Sequence, residues 1–143
     1  MAKLNKIFGT VEETEAAFYD AISRADIEAL MALWTEDDEI ICIHPGAPRL
    51  LGHAAIRASW ESIFQRGGVH IRPTQLHAVH NMMSATHNVI EVIKRAEHDQ
   101  QDLHIVATNV YIKTAQGWRI VVHHASVATG AAPIEVNTTS MLH

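Results

Sequence analysis

The spacing of apolar residues changes once along the chain, and this change constrains the fold more than any other feature. Up to about residue 68 the apolar residues recur with the helical period, and beyond it apolar residues follow the two-residue period of strands. The second part divides into four long runs, about 69–81, 84–97, 102–114 and 118–128, with short breaks between them. Because short breaks join antiparallel neighbours, the pattern predicts helices first and then an antiparallel sheet.

Three helices are predicted before that change. Thr10 and Glu13 fit a capping box, in which a threonine caps the helix and a glutamate follows three residues later. Asp26 can cap a second helix that continues the first as a bent pair. A short buried strand is expected at residues 39–44, and a third helix from about residue 53 to 65.

Size and composition exclude several classes of protein. The 143 residues fit one domain, and a hydrophobic content of 48% is typical of a globular chain. The net charge of −5 argues against a nucleic-acid partner, since phosphate binding needs clustered basic residues. The N-terminal stretch MAKLNKIFGT lacks the apolar region of a signal peptide, and no apolar run approaches the ~20 residues of a membrane span. We therefore expect a cytoplasmic protein without a membrane partner.

The third and fourth long runs are apolar on both faces, which predicts a partner for the sheet. In the third run one face carries Ile105, Ala107 and Tyr111, and the other carries Val106, Val110 and Ile112. A sheet covered on one side alternates apolar and polar residues, and the three helices can cover only one side. A second copy of the chain is the simplest cover for the other side, so we expect a homodimer formed through the outer sheet face.

Two stretches resemble a known superfamily. IHPGAPRLLGHAAIRASWESIF is similar to the strand, loop and third helix of SnoaL-like members of the nuclear transport factor 2-like (cystatin-like cone) superfamily, and ATNVYIKTAQGWRIVVHHAS resembles their final hairpin. The resemblance covers about residues 8–128. It implies an α+β fold in which three N-terminal helices pack on a strongly curved antiparallel sheet. We expect one domain over residues 1–143, with a tail at 129–143 that is loose or lies on a partner.

The resemblance also implies a pocket between the concave sheet face and the helices. Neighbouring side chains on a strand point to opposite faces, so His123 and His124 cannot both enter it on a regular strand. The histidine two residues before the serine of the family hairpin matches His124, which is therefore expected to face the pocket and carry protons. His123 would then face the other side, and a bulge would reverse this assignment.

Further candidates surround this histidine. Asn109 would hold a substrate oxygen, and Tyr111 on the same strand face could donate its hydroxyl. In the family the stretch that matches His44 borders the pocket mouth, where Arg49 could bind a carboxylate or phosphate. Trp60 and Trp34, on the apolar stripes of the third and second helices, are expected at the pocket wall.

The family does not determine the activity, because its members include isomerases, dehydratases, polyketide cyclases and association modules. We expect a binding protein for a mainly apolar small molecule with a carbonyl or carboxylate, and acid–base chemistry of the isomerase or lyase kind if it is an enzyme. The alternative is a non-catalytic association or scaffold domain with a vestigial pocket.

His44 and His124 lack a third metal ligand, so no metal or cofactor is expected, although a metal-dependent hydrolase stays a third possibility. Glu91 lies among His87, Val89 and Ile93 on one strand face, and the sequence does not place it in the pocket.

Overall fold

The computed structural model describes residues 7–94 and 101–128, and the predicted tail at 129–143 lies outside the described residues. Its elements run in the order expected, helices before long strands. They are α1 (Val11–Ser23), α2 (Ile27–Met31), β1 (Ile41–Ile43), β2 (Leu50–Leu51), α3 (His53–Phe64), β3 (Ile71–His80), β4 (Ser84–Ile93), β5 (Leu103–Thr114) and β6 (Gly117–Val127). The α+β fold class is thereby confirmed.

The predicted capping residues begin the first two helices. The Thr10 hydroxyl accepts the Glu13 backbone N–H at 3.1 Å, and the Asp26 carboxylate accepts the Ala29 N–H at 3.0 Å. The second helix is shorter than its apolar stripe, because the chain after it turns to pair with β6. Trp34 forms an isolated parallel bridge with Ile120 there and is not part of the helix.

The six strands form one sheet in the order β2-β1-β6-β5-β4-β3. The four long strands pair as an antiparallel meander, as their short connections predict. The short strand β1 is parallel to β6, with Cys42 opposite His123, so the sheet is mixed. The two-residue strand β2, antiparallel to β1, was not predicted, because two residues carry no periodic signal.

A bulge in β6 reverses the expected orientation of the two adjacent histidines. Val110 pairs with Val122, but its neighbour Tyr111 pairs with Ile120, so β6 contains one residue more than β5 at this point. The extra residue turns His123 to the inner face, where it is 4% exposed, and leaves His124 exposed. The expectation that His124 faces inward was wrong for this reason.

The helices cover the inner face of the sheet. On β5 the residues facing them are fully buried, whereas the alternate residues on the outer face are half-buried. The inner residues are Ile105, Ala107, Asn109 and Tyr111, and the outer ones are Val106, Thr108, Val110 and Ile112. Among the described residues, no helix has the length and apolar character needed to cross a membrane.

Candidate functional site

Polar side chains form a row across the inner face of three long strands. His87 on β4 lies opposite Asn109 on β5, and Asn109 lies opposite His123 on β6. All three are buried, and so is Glu91, four residues after His87 on the same face. Buried polar groups need hydrogen-bond partners, and the partners here come from one another and from α1.

Helix α1 presents Glu15 and Tyr19 to this row. The two residues are four apart and therefore lie on one helix face. Glu15 Oε2 accepts a hydrogen bond from the Tyr111 hydroxyl, one from His87 Nδ1 at 3.0 Å and one from Asn109 Nδ2 at 3.4 Å. Since a carboxylate only accepts, His87 carries its hydrogen on Nδ1.

Asn109 connects the two halves of the network. Its Nδ2 donates to the Tyr19 hydroxyl at 3.0 Å, and Tyr19 in turn donates to Glu91 Oε2 at 2.7 Å. Its Oδ1 accepts from His123 Nδ1 at 2.6 Å. The Asn109 amide therefore contacts Glu15 directly, is connected to Glu91 through Tyr19, and also positions His123.

Burial changes the pKa of several groups in the network. Burial raises the pKa of Glu91 to about 7, with the Tyr19 hydrogen bond opposing this and the charge of Glu15 adding to it. Burial, assisted by repulsion from His44 and His124, lowers the pKa of His123 to about 3. At neutral pH His123 is therefore neutral, while Glu91 is divided between its protonated and ionised forms.

A surface cleft of about 470 Å³ reaches this network at Tyr19. The cleft lies between the C-terminal half of α1 and the ends of β3, β4 and β5, and its volume is within the range of small-molecule sites. Its wall includes Val92, Arg72 and Lys94. Tyr19 is thus part of both the cleft and the buried network.

An aromatic cluster beside the network contains several predicted residues. The His44 ring meets Trp60 edge-on at 4.7 Å between ring centroids, and Trp60 lies 6.1 Å from the His123 ring. His44 Nε2 is hydrogen-bonded to the Ser59 hydroxyl, and burial lowers the pKa of His44. The structure thus brings together His44, Trp60, Asn109, Tyr111 and His123.

Three predicted residues lie elsewhere. His124 is exposed on the outer sheet face, opposite Thr108. Arg49 is exposed in the loop between β1 and β2. Within residues 7–94 and 101–128 it forms no hydrogen bond with the inner network. Trp34 is buried near the start of β6, and its indole N–H has no hydrogen-bond partner among residues 7–94 and 101–128.

The sequence alone did not identify the helical half of the network. Glu15 lies four residues after Val11 and three before Phe18, so it falls on the apolar stripe of α1. A charged residue on a buried stripe is the signal that could have found it. His87 and Glu91 were recognised as sharing a strand face, but alternation does not say which face is inner.

Comparisons with known proteins agree with this architecture. The SnoaL-like domain family matches residues 11–130. A protein of Thiobacillus denitrificans provisionally named a calcium/calmodulin-dependent protein kinase type II association domain is 36% identical, with 86% of this chain and 98% of that chain covered and a TM-score of 0.79. A provisionally named dehydratase of the NTF2-like family from Streptomyces avermitilis is 30% identical, with 84% and 94% covered and a TM-score of 0.75.

More distant similarity extends to the fold alone. An NTF2-like protein with a cystatin-like fold from Novosphingobium aromaticivorans is 20% identical, with 85% of this chain and 82% of that chain covered and a TM-score of 0.69. No curated protein matched the sequence. The family match over residues 11–130 and the two relatives at 30% identity or more show that the chain belongs to the SnoaL-like branch of the nuclear transport factor 2-like superfamily.

Proposed function

We propose that this protein binds a small organic anion in the cleft beside Tyr19 and exchanges a proton with it through Tyr19 and Glu91. The main support for this proposal is that Tyr19 lines the cleft and also donates its hydroxyl hydrogen to Glu91 at 2.7 Å. A ligand in the cleft would meet a side chain that is hydrogen-bonded directly to a buried carboxyl group.

The state of Glu91 suits acid–base chemistry. A general acid or base works best when its pKa is near the operating pH, and burial raises the pKa of Glu91 to about 7. Asn109 holds the Tyr19 hydroxyl at 3.0 Å and so keeps it directed at Glu91. The reaction class is proton removal beside a carbonyl group, as in isomerisation or loss of water. The provisional name of the Streptomyces avermitilis relative, a dehydratase, supports this class.

The charges of the cleft support an anionic ligand. Arg72 and Lys94 line it, and within residues 7–94 and 101–128 neither forms an ion pair. Two acidic residues, Asp20 and Asp102, also line the cleft. The Asp20 carboxylate is engaged by Arg24 at 2.9 Å, so we assign the ligand's anionic group to the side of Arg72 and Lys94. A carboxylate on the ligand would gain charge-assisted hydrogen bonds from the two basic side chains.

These roles differ from those expected from sequence. Asn109 keeps a positioning role, toward Tyr19 and His123. His124 lies on the outer face and is not assigned a proton-transfer role. His44 and Arg49 are not assigned a role at the cleft, because neither lines it.

Solvent deuterium exchange tests this function. Small 2-oxo, 3-hydroxy and unsaturated carboxylic acids are incubated with the protein in D2O, and NMR reports the loss of hydrogen beside the carbonyl or carboxyl group. We expect catalysed exchange for at least one class, with a rate at least 100-fold lower in Glu91→Gln and lower in Tyr19→Phe. Glu39→Gln, which changes an exposed carboxylate, is the matched control and should keep the wild-type rate. Equal rates in Glu91→Gln and wild type would refute the role of Glu91, and no exchange with any acid would refute the proposed reaction.

A second candidate function is that of an association domain. The 36% identical protein of Thiobacillus denitrificans bears that provisional name, and the half-buried apolar residues on the outer face of β5 support a self-association surface. A domain that only associates does not need two buried carboxylates, whose desolvation is unfavourable for folding. We therefore place proton exchange first and regard a homodimer through the outer sheet face as compatible with it.

A further inference from the structure

We propose that Glu12, His80 and His87 bind a divalent first-row transition-metal ion such as Zn²⁺. The three residues lie where the end of the β3–β4 hairpin meets the first turn of α1. This site is separate from the cleft at Tyr19, and the inference does not depend on the proposed function. Imidazole nitrogen and carboxylate oxygen are the donors that such ions take in three-ligand protein sites.

The strand register brings the two histidines together. His80 pairs with Ala85 and Ala78 pairs with His87, so the two histidines are diagonal neighbours on one sheet face. Their Nε2 atoms are 2.9 Å apart. Glu12 adds a carboxylate from α1, with Oε2 at 3.7 Å from His80 Nε2 and 3.6 Å from His87 Nε2.

These three distances suit a single ion. Atoms separated by 2.9, 3.6 and 3.7 Å lie on a circle whose radius is about 2.0 Å, so one point is equally far from all of them. Zinc–nitrogen and zinc–oxygen bonds in proteins are roughly 2.0–2.2 Å long. No backbone movement is therefore required to bring the three ligand atoms within bonding distance of one ion.

The buried hydrogen bond of His87 prepares it as a ligand. His87 Nδ1 donates to Glu15 Oε2 at 3.0 Å, which leaves the lone pair on Nε2 and directs that atom at His80 and Glu12. Metal-binding histidines usually donate their other ring hydrogen to a carboxylate or carbonyl in this way, which fixes the tautomer and the ring orientation. The His87 side chain is fully buried, so its ring is held in place.

The remaining two ligands are free to adjust. The His80 side chain is 40% exposed and the Glu12 side chain 61% exposed, so both can turn toward an ion. The His80 and His87 rings share one hydrogen bond between their Nε2 atoms, and a bound cation would take the place of that proton. Three protein ligands leave a fourth position for a water molecule, unlike the closed four-ligand arrangement of structural zinc sites.

Cobalt titration tests the site. Chelator-treated full-length protein without a histidine tag is titrated with Co²⁺, visible absorption reports binding, and Zn²⁺ is added as competitor. We expect one Co²⁺ per chain, displaced by Zn²⁺, with affinity at least 10-fold weaker in both His80→Ala and Glu12→Gln. Both residues are partly exposed, so the variants should fold, which circular dichroism checks. His77→Ala, which removes an exposed histidine of the same strand, should bind as the wild type does.

Two results would overturn the proposal. One is Co²⁺ affinity in His80→Ala and Glu12→Gln equal to that of the wild type, which would place any bound ion elsewhere. The other is wild-type protein that binds neither Co²⁺ nor Zn²⁺ in the titration. The His80–His87 contact would then be a hydrogen bond and nothing more.

Discussion

The Tyr19 hydroxyl donates to Glu91 Oε2 at 2.7 Å and so connects helix α1 to strand β4 in the interior of the domain. Glu91 is 3% exposed and Tyr19 5%, so the pair is almost completely shielded from water. Burial of this kind disfavours the ionised carboxylate. Burial therefore raises the pKa of Glu91 to about 7, although the hydrogen bond from Tyr19 opposes this rise.

The first prediction concerns stability against pH. A folded-state pKa of about 7, compared with the ordinary 4.5, means that the folded protein holds a proton that the unfolded chain releases. The stability associated with this proton is present below pH 4.5 and is lost as pH rises through about 7. We expect Glu91→Gln to remove this fall, which is about 2 to 3 kcal/mol between pH 5 and pH 8. Urea unfolding of both proteins at a series of pH values measures it.

His123 also changes the stability with pH, so the effect of Glu91 is measured as the difference between the stability curves of the wild type and Glu91→Gln. Its pKa of about 3 in the folded state makes stability fall as pH drops from about 6.5 toward 3, the opposite direction. Because both proteins keep His123, its effect cancels when the two curves are subtracted. A difference that stays constant from pH 5 to pH 8 would contradict the prediction for Glu91.

The second prediction concerns the hydrogen bonds to Glu15. Tyr111 is completely buried, and its hydroxyl donates to Glu15 Oε2. We expect Tyr111→Phe to reduce the free energy of unfolding by about 1.5–3 kcal/mol, the range for a hydrogen bond to a charged group. Chemical denaturation at neutral pH measures the change. An unchanged midpoint would mean that Tyr111 contributes only through its ring.

The order and pairing of the long elements were predictable from sequence because they rest on local signals. The Thr10–Glu13 capping box gives the start of α1, and short breaks give antiparallel neighbours. The parallel pairing of β1 with β6 was not predictable in this way. It joins residues about 80 positions apart, and no local pattern records such a contact.

The third prediction tests the bulge in β6. His124 is exposed and His123 is buried, so diethyl pyrocarbonate should modify His124 and leave His123 unmodified in the folded protein. Peptide mass spectrometry after brief treatment at neutral pH distinguishes the two. His77, which is also exposed, is the positive control for reactivity. Modification of His123 with protection of His124 would show that β6 is a regular strand, as the sequence predicted, and would contradict the bulge.

The candidate site was less predictable than the fold, and the two adjacent histidines show why. Alternation assigns faces only when the strand is regular, and a single extra residue between Ile120 and Val122 exchanges them. Glu15 was missed for a different reason, since a carboxylate on an apolar helix stripe is interpreted as exposed unless its partners are known. Those partners, Tyr111, His87 and Asn109, come from other strands.

The fourth prediction concerns self-association. We expect a homodimer in native mass spectrometry, because Val106 and Val110 on the outer face are half-buried in a single chain and would be covered by a second copy. Val106→Glu should convert the dimer largely to monomer by introducing a charge into that face. Ala54→Glu, on the exposed surface of α3, should leave the dimer intact. A wild-type monomer would contradict the predicted interface.

The proton-transfer proposal is tested most directly by the titration of Glu91. Protein labelled with ¹³C at the glutamate side-chain carboxyl is titrated by NMR, and the resonance absent from Glu91→Gln identifies the residue. We expect a pKa of about 7 for Glu91. A pKa near the ordinary 4.5 would show a carboxylate fully ionised at neutral pH, and the proposed proton exchange with Tyr19 and a ligand in the cleft would then be contradicted.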